Sequence, residues 1–301
     1  MPNEELKKRI EALNKKPLQN VPQEPEKMDE RAPRTAAKNS NYDRVLSAVR
    51  KNYDKPEPRD FGPAISLEEA AEGVVMQAPA GPGYYLIEKP ACDLEPNAPE
   101  IHSGFLRLTG YPDGEAVIRI ASTCKSERIT PEEVLFLDLE TTGLGMTPVF
   151  LVGTMECTAE GFAFKQYLAR DYDEEASIVA AISERLKTTR MLVTFNGKTF
   201  DVPFLKNRAT ATRLELSPIQ YHLDLLHEAR RIYRGKMPDC KLQTLEKYVC
   251  GRSREDDIPG AEIPKAYHDF VRTGNANKMG LILLHNLYDL LTMADLMQKM
   301  W

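Results

Sequence analysis

Val134-Leu-Phe-Leu-Asp138-Leu-Glu140-Thr-Thr-Gly143 decides how the rest of the chain is read. Val134 to Leu137 form an unbroken apolar run, the pattern of a buried strand. Asp138 and Glu140 follow, two apart, so on a strand both carboxylates point to the same face. Thr141, Thr142 and Gly143 let the chain turn away and leave the acids at a strand tip. A bare pair of acids is costly to bury because the charges repel and lose water. A hard divalent cation reverses that cost, since Mg²⁺ favours carboxylate oxygen. The pair alone does not decide the matter, because many strand ends carry two solvated acids.

Working outward, the C-terminal side supplies the elements of an α/β layer arrangement. Val149 to Cys157 and Gly161 to Leu168 read as an antiparallel hairpin, and Asp173 to Lys187 as an amphipathic helix with acids at its N-terminus. Met191 to Phe195 is a fourth strand, ending in Asn196-Gly-Lys-Thr-Phe-Asp201, with Asp201 in the first turn of a helix. Ile219 to Leu223 is a fifth strand. Helices follow over 224–233, 242–249, 262–273 and 277–300. The last carries a broad apolar face interrupted by His285, Asn286 and Asp289, with His285 and Asp289 on one side. Asp289 reads either as a flank acid or as one needing a partner or a metal. The fold expected is a mixed five-stranded sheet flanked by helices.

On the N-terminal side, residues 1–60 are rich in Pro, Lys, Glu and Asn and read as a mobile arm with short helices. A docking segment for a protein partner is the functional alternative. Residues 61–129 read as a small β-rich extension, with a capping box at Ser66–Glu69. Strands are expected over Gly83–Lys89, Phe105–Leu108 and Ala116–Ala121, the last two separated by a turn at Tyr111–Gly114, and His102 in a loop. Thr130-Pro-Glu-Glu133 starts a single turn that opens the main domain, 130–301.

The chain has 301 residues and a formal net charge of −5. An acidic total does not exclude a nucleic-acid ligand, because a local basic surface suffices. The five cysteines are scattered with no CxxC pair, which argues for reduced thiols and against a zinc knuckle. No apolar run approaches a membrane span, and no signal-peptide pattern opens the chain. A cytoplasmic location is expected.

Three phrases together resemble a known family. Phe136-Leu-Asp-Leu-Glu-Thr-Thr-Gly-Leu144, Thr194-Phe-Asn-Gly-Lys-Thr-Phe-Asp201 and His285-Asn-Leu-Tyr-Asp289 are similar, in order, to the three motifs of the DEDD exonucleases of the ribonuclease H-like superfamily. Asp257-Ile-Pro-Gly-Ala-Glu-Ile-Pro264 with Tyr267 resembles the YprB-type branch. The resemblance implies that Asp138, Glu140, Asp201 and Asp289 bind two Mg²⁺ or Mn²⁺ ions. It implies a nuclease that hydrolyses phosphodiester bonds of DNA or RNA, as a 3′–5′ exonuclease. A structure-selective endonuclease, a non-catalytic nucleic-acid-binding module and a subunit of a polymerase or helicase assembly are the alternatives. The family's general base is usually a His five residues before the last acid or a Tyr four before it. Here His285 stands four before Asp289, where it is expected to take a proton or to serve as a structural helix residue. Thr141, Asn196 and Lys198 are candidates for substrate contact, the last two equally for stabilising the turn. Asp224 is a helix cap or an outer acid. His222 and His227 lack a zinc spacing. The basic run Arg230, Arg231, Arg234 and Lys236 is a solvated face or a track for a nucleic-acid backbone.

Overall fold

The structure is a computed structural model that describes residues 63–78, 81–110, 129–143, 145–254 and 256–301. The expected N-terminal arm, the Tyr111–Gly114 turn and the strand over 116–121 lie outside these residues.

Seven strands form one mixed sheet in the order β1-β2-β5-β4-β3-β6-β7. The five expected strands are β3 (Val134–Thr141), β4 (Val149–Cys157), β5 (Phe162–Leu168), β6 (Met191–Thr194) and β7 (Tyr221–Asp224). Two more, β1 (Val74–Met76) and β2 (Tyr84–Pro90), extend the sheet because β2 pairs antiparallel with β5. The 83–89 strand is therefore part of the main sheet. The β3–β4–β5 meander is antiparallel, and β6 and β7 join β3 in parallel.

The helices are α1 (Leu67–Ala70), α2 (Ala98–Thr109), α3 (Glu175–Leu186), α4 (Asp201–Ala211), α5 (Leu225–Tyr233), α6 (Leu242–Leu245), α7 (Ile263–Thr273) and α8 (Met279–Met300). The Ser66 capping box is present, with the Ser66 side chain taking the Glu69 N–H and Glu69 taking the Ser66 N–H. Thr130 and Glu133 make the same reciprocal cap over the short 3₁₀ turn before β3. The α6 helix continues directly into a π-turn, Glu246–Cys250.

Phe105–Leu108, expected as a strand, is the end of α2. Three of these four residues are apolar, which suits a strand only over this short stretch. Ala98, Ile101 and Phe105 bury one helical stripe, a proline sits in the first turn, and Gly110 closes the helix in the left-handed conformation. His102 is consequently a buried helix residue, not a loop residue. Its Nε2 lies 3.1 Å from the Thr158 carbonyl and 3.3 Å from Cys157 Sγ. Burial lowers its pKa, partly offset by the carbonyl.

The period-two rule assigns the faces of β3. Leu135, Leu137 and Leu139 join a core with α3, α4 and α7, whereas Val134 and Phe136 join a core with α2 and α8. Asp138 and Glu140 therefore continue the face that α8 covers. Parallel pairing of β3 with β6 stops at Phe136↔Val193, so the acids lie beyond it, at the carboxyl end of the parallel strands. Ligands of open α/β sheets bind in that crevice.

Two of the acids expected to complement the dipole of α3 form ion pairs. Glu175 is fully buried and takes a two-pronged pair of hydrogen bonds from Arg208 of α4, both 2.6 Å, and one of 2.8 Å from the Val149 N–H. Glu174 pairs with Arg170. Breaking a buried pair leaves one charge unmatched. Arg208→Gln should lower stability by about 3–5 kcal/mol in chemical denaturation, and joint replacement with Glu175→Leu/Arg208→Met should cost much less.

Candidate active site

Three elements bring four acids to the crevice. Asp138 and Glu140 come from β3, Asp201 opens α4, and Asp289 comes from α8. A β-bulge between Glu140 and Thr141 ends the regular register there. The Thr141 hydroxyl donates to the Gly143 carbonyl at 2.9 Å, and that of Thr142 to Pro148 at 3.1 Å, so both hold the turn.

The strand-to-helix turn 196–200 is held from β7. Asp224 Oδ1 accepts the N–H of Asn196 at 2.8 Å and of Leu226 at 3.1 Å, and Oδ2 accepts that of Lys198 at 2.9 Å. Asp224 thus caps α5 and fixes the turn leading to Asp201. Asn196 carries the left-handed φ of 69°, which asparagine tolerates better than most residues. Gly197 is required for another reason: a Cβ there would lie 2.2 Å from Thr194 Oγ1. The Thr194 hydroxyl also meets His222 Nε2 at 2.8 Å, and burial takes the pKa of His222 down to about 4. His227 is exposed. The Lys198 side chain is exposed at the turn.

The acids sense one another. Asp138 is raised well above an ordinary carboxyl by burial, then by Asp289, Glu140 and Asp201, against a hydrogen bond from Asn286. Glu140 is raised by burial, then by Asp289, Asp201 and Asp257. Asp201 rises to about 7, chiefly through burial, with Asp224 and Asp289 adding to it and backbone N–H groups opposing. Three chain segments therefore place carboxylates within mutual electrostatic reach.

Residues without a site role in the sequence reading, Gln166, Gly153, Arg254 and the amide of Asn286, complete the site with His285 and Asp257. Asn286 Nδ2 donates to Asp138 Oδ2 at 2.8 Å, and its Oδ1 accepts from Gln166 at 2.9 Å. Gly153 stands across from Asp138 on β4, and a Cβ there would sit 1.9 Å from Asn286 Oδ1. Arg254 donates to Asp289 Oδ1 at 2.5 Å and to Glu246 at 2.7 Å, and lies 3.4 Å from Asp257 Oδ2. Burial alone would lower the Arg254 pKa, but these acids raise it above its ordinary value. Its guanidinium also lies over the Tyr288 ring, 5.4 Å from the centroid. His285 is buried, with Nδ1 2.7 Å from Asp257 Oδ1 and Nε2 3.6 Å from Asp289 Oδ2. Only the resemblance to the YprB-type stretch pointed near Asp257, and nothing in the local pattern marked Arg254 or Gln166.

The donor set fits a hard divalent ion in its chemistry: buried carboxylate oxygens whose mutual repulsion a cation would relieve. The geometry is open. Among the described residues, no group of three or more His, Cys, Asp or Glu side chains is drawn together closely enough to hold one ion. Asp289 instead has Arg254 as its counter-charge.

These raised carboxyl pKa values set the sign of a pH effect. A carboxyl that keeps its proton to a higher pH in the folded chain supports folding below the unfolded pKa, near 4, and withdraws that support as pH climbs through the folded value. For Asp201 the loss runs upward from near pH 4 and is complete a little above the folded value of about 7. His222 and His268, both lowered to about 4 mainly by burial, act oppositely but mostly below pH 6.5. In chelator, the melting temperature should therefore fall by a few °C between pH 6.5 and 8, and less so in Asp201→Asn. Calorimetric scans across that range check it.

A sequence model of the RNase H superfamily matches residues 135–301, more than half of the chain. The chain is 32% identical over 182 residues to the protein YprB of Bacillus subtilis (strain 168), which is described only as uncharacterized. That match covers 59% of this chain and 44% of the relative, so the chain spans less than half the relative's length. The family B DNA polymerase of the hyperthermophilic archaeon Pyrobaculum calidifontis is a distant structural likeness, with 18% identity and a TM-score of 0.46. It covers 58% of this chain and 25% of the polymerase. No helix of the described residues is long and apolar enough to cross a membrane. The strand order, the crevice and the sequence match agree, and the chain belongs to the RNase H superfamily, whose membership supports a nuclease-type function.

Proposed function

We propose that this protein is a metal-dependent nuclease that hydrolyses phosphodiester bonds, acting as a 3′–5′ exonuclease on DNA or RNA. The observation that carries the reading is the mutual interaction of Asp138, Glu140, Asp201 and Asp289, brought from separate segments to one crevice. So costly a cluster argues for a role that needs concentrated negative charge.

Asp138, Glu140, Asp201 and Asp289 would hold Mg²⁺ or Mn²⁺, in two sites. When bound, these ions supply Lewis-acid stabilisation of charge at the phosphate and leaving oxygen. The chain's own residues provide the rest. Asp257 Oδ1 meets His285 at Nδ1, which leaves Nε2 turned to the side of Asp289. That nitrogen is the proton acceptor for the attacking water. Asn286, backed by Gln166 and given room by Gly153, holds one Asp138 oxygen so that the carboxylate cannot rotate freely. Arg254 restrains Asp289 by donating to its Oδ1.

End-labelled DNA and RNA, incubated with Mg²⁺, Mn²⁺ or EDTA, test the proposal. A ladder growing from the 3′ end in metal and none in EDTA is expected. Cutting of a circular substrate would instead point to an endonuclease. Asp138→Asn and Asp201→Asn should each reduce turnover to background while circular dichroism remains native. Turnover at the normal rate in both would refute the assignment. His285→Ala should slow the reaction at pH 7 by ~10²-fold or more, with metal affinity measured calorimetrically almost unchanged.

A further inference from the structure

Beside the turn that leads to Asp201 lies a cavity of about 690 Å³. Asn196 and Phe195 line one side, Arg230 and Arg234 another, and Lys241 a third. Its volume is on the scale of a small-ligand pocket, roughly 300–1,000 Å³, far too small to admit a duplex.

The charges around it are unbalanced. Arg230 lies in the last turn of α5 and Arg234 just past its end, its N–H donating to the Arg230 carbonyl at 3.3 Å, while Leu225, Leu226 and Ala229 face the core. Both arginines are exposed, and neither guanidinium meets a carboxylate among the described residues. Arg170, Arg185 and Arg252, by contrast, each pair with an acid. Arg231 turns away to Glu228 at 2.9 Å. The one acid lining the cavity is Asp239. One of its oxygens accepts the Lys241 N–H at 3.0 Å, and the other lies 3.9 Å from Lys241 Nζ, so it pairs with Lys241 and with neither arginine. Like charges gathered around one concave surface repel unless an anion lies between them. A half-buried aromatic ring in the same wall offers a base a surface for stacking.

We propose that this groove holds a single-stranded stretch of nucleic acid leading to the acid cluster, with phosphates at Arg230, Arg234 and Lys241. The ligand class rests on the nuclease reading above; the groove and its charge do not. Asn196 belongs both to the groove and to the turn fixed by Asp224, so the strand's path ends beside Asp201.

Fluorescence anisotropy with labelled single-stranded and duplex DNA and RNA, in EDTA and in Ca²⁺ over a range of salt, tests this. Arg230→Gln/Arg234→Gln should weaken single-strand binding about tenfold at low salt and flatten the log–log salt slope by roughly 1–1.5. Lys89→Gln/Lys187→Gln removes the same charge from exposed sites elsewhere and should change affinity less than twofold. Both variants alter exposed side chains, and native circular dichroism is the check on folding. Equal weakening in the two variants, wild-type affinity in the arginine variant, preference for duplex, or no binding by the wild type would each overturn the groove. Binding as expected without cleavage in Mg²⁺ or Mn²⁺ would keep the groove and remove the nuclease reading. Cleavage with unchanged binding in the arginine variant would do the reverse.

Discussion

The site depends on one constraint: Asp138 and Glu140 continue the same face of β3 that Val134 and Phe136 use to build the core under α8. The strand periodicity that buries two apolar side chains carries two acids into the same layer. Everything nearby answers that placement. Asn286 reaches down from α8 to one Asp138 oxygen, Gln166 fixes which way the amide points, and Gly153 gives up its side chain to let the amide in. The α8 helix can therefore be mainly apolar and still present a polar patch where the sheet becomes polar.

Arg254 performs the complementary task. It is almost entirely enclosed and reaches Asp289, Glu246 and Asp257, while lying against the ring of Tyr288. A buried guanidinium is tolerable because carboxylates surround it, and the carboxylates are tolerable partly because of it. Asp257 in turn sets the orientation of His285. The segment joining the π-turn to α7 is thus tied to the last helix by charge.

Much of this was legible in the sequence because it is local. The apolar run at Val134–Leu137, the acid two residues further, the Asn196–Asp201 turn and the stripe on α8 all have short-range signatures. Local pattern also misled at Phe105–Leu108, where four mostly apolar residues outweighed a helical stripe beginning at Ala98. The acids at the start of α3 look like dipole complements in sequence, whereas the partner of Glu175 is Arg208, 33 positions away. Arg254, Asp257 and Gln166 share that problem. Their meaning lies in contacts across the fold, and an arginine in a polar loop carries no mark of what it will face. Asn286 lay within a recognised phrase, but its target, a carboxylate 148 residues earlier, could be seen only in three dimensions.

The π-turn at Glu246–Cys250 has a consequence for how this chain can vary. Glu246 begins the turn, and Arg252 and Arg254 follow two and four residues after its end. Widening a helical turn by one residue alters the angular phase of all that follows, by roughly 100° for each residue gained or lost. Length polymorphism in this stretch would redirect the chain as it leaves the turn and carry the two arginines away from Glu246, Asp289 and Asp295. Lineages should therefore tolerate exchanges of residue type at the exposed positions Lys247, Tyr248 and Ser253 more readily than indels, because spacing as well as charge brings the guanidinium groups to the last helix.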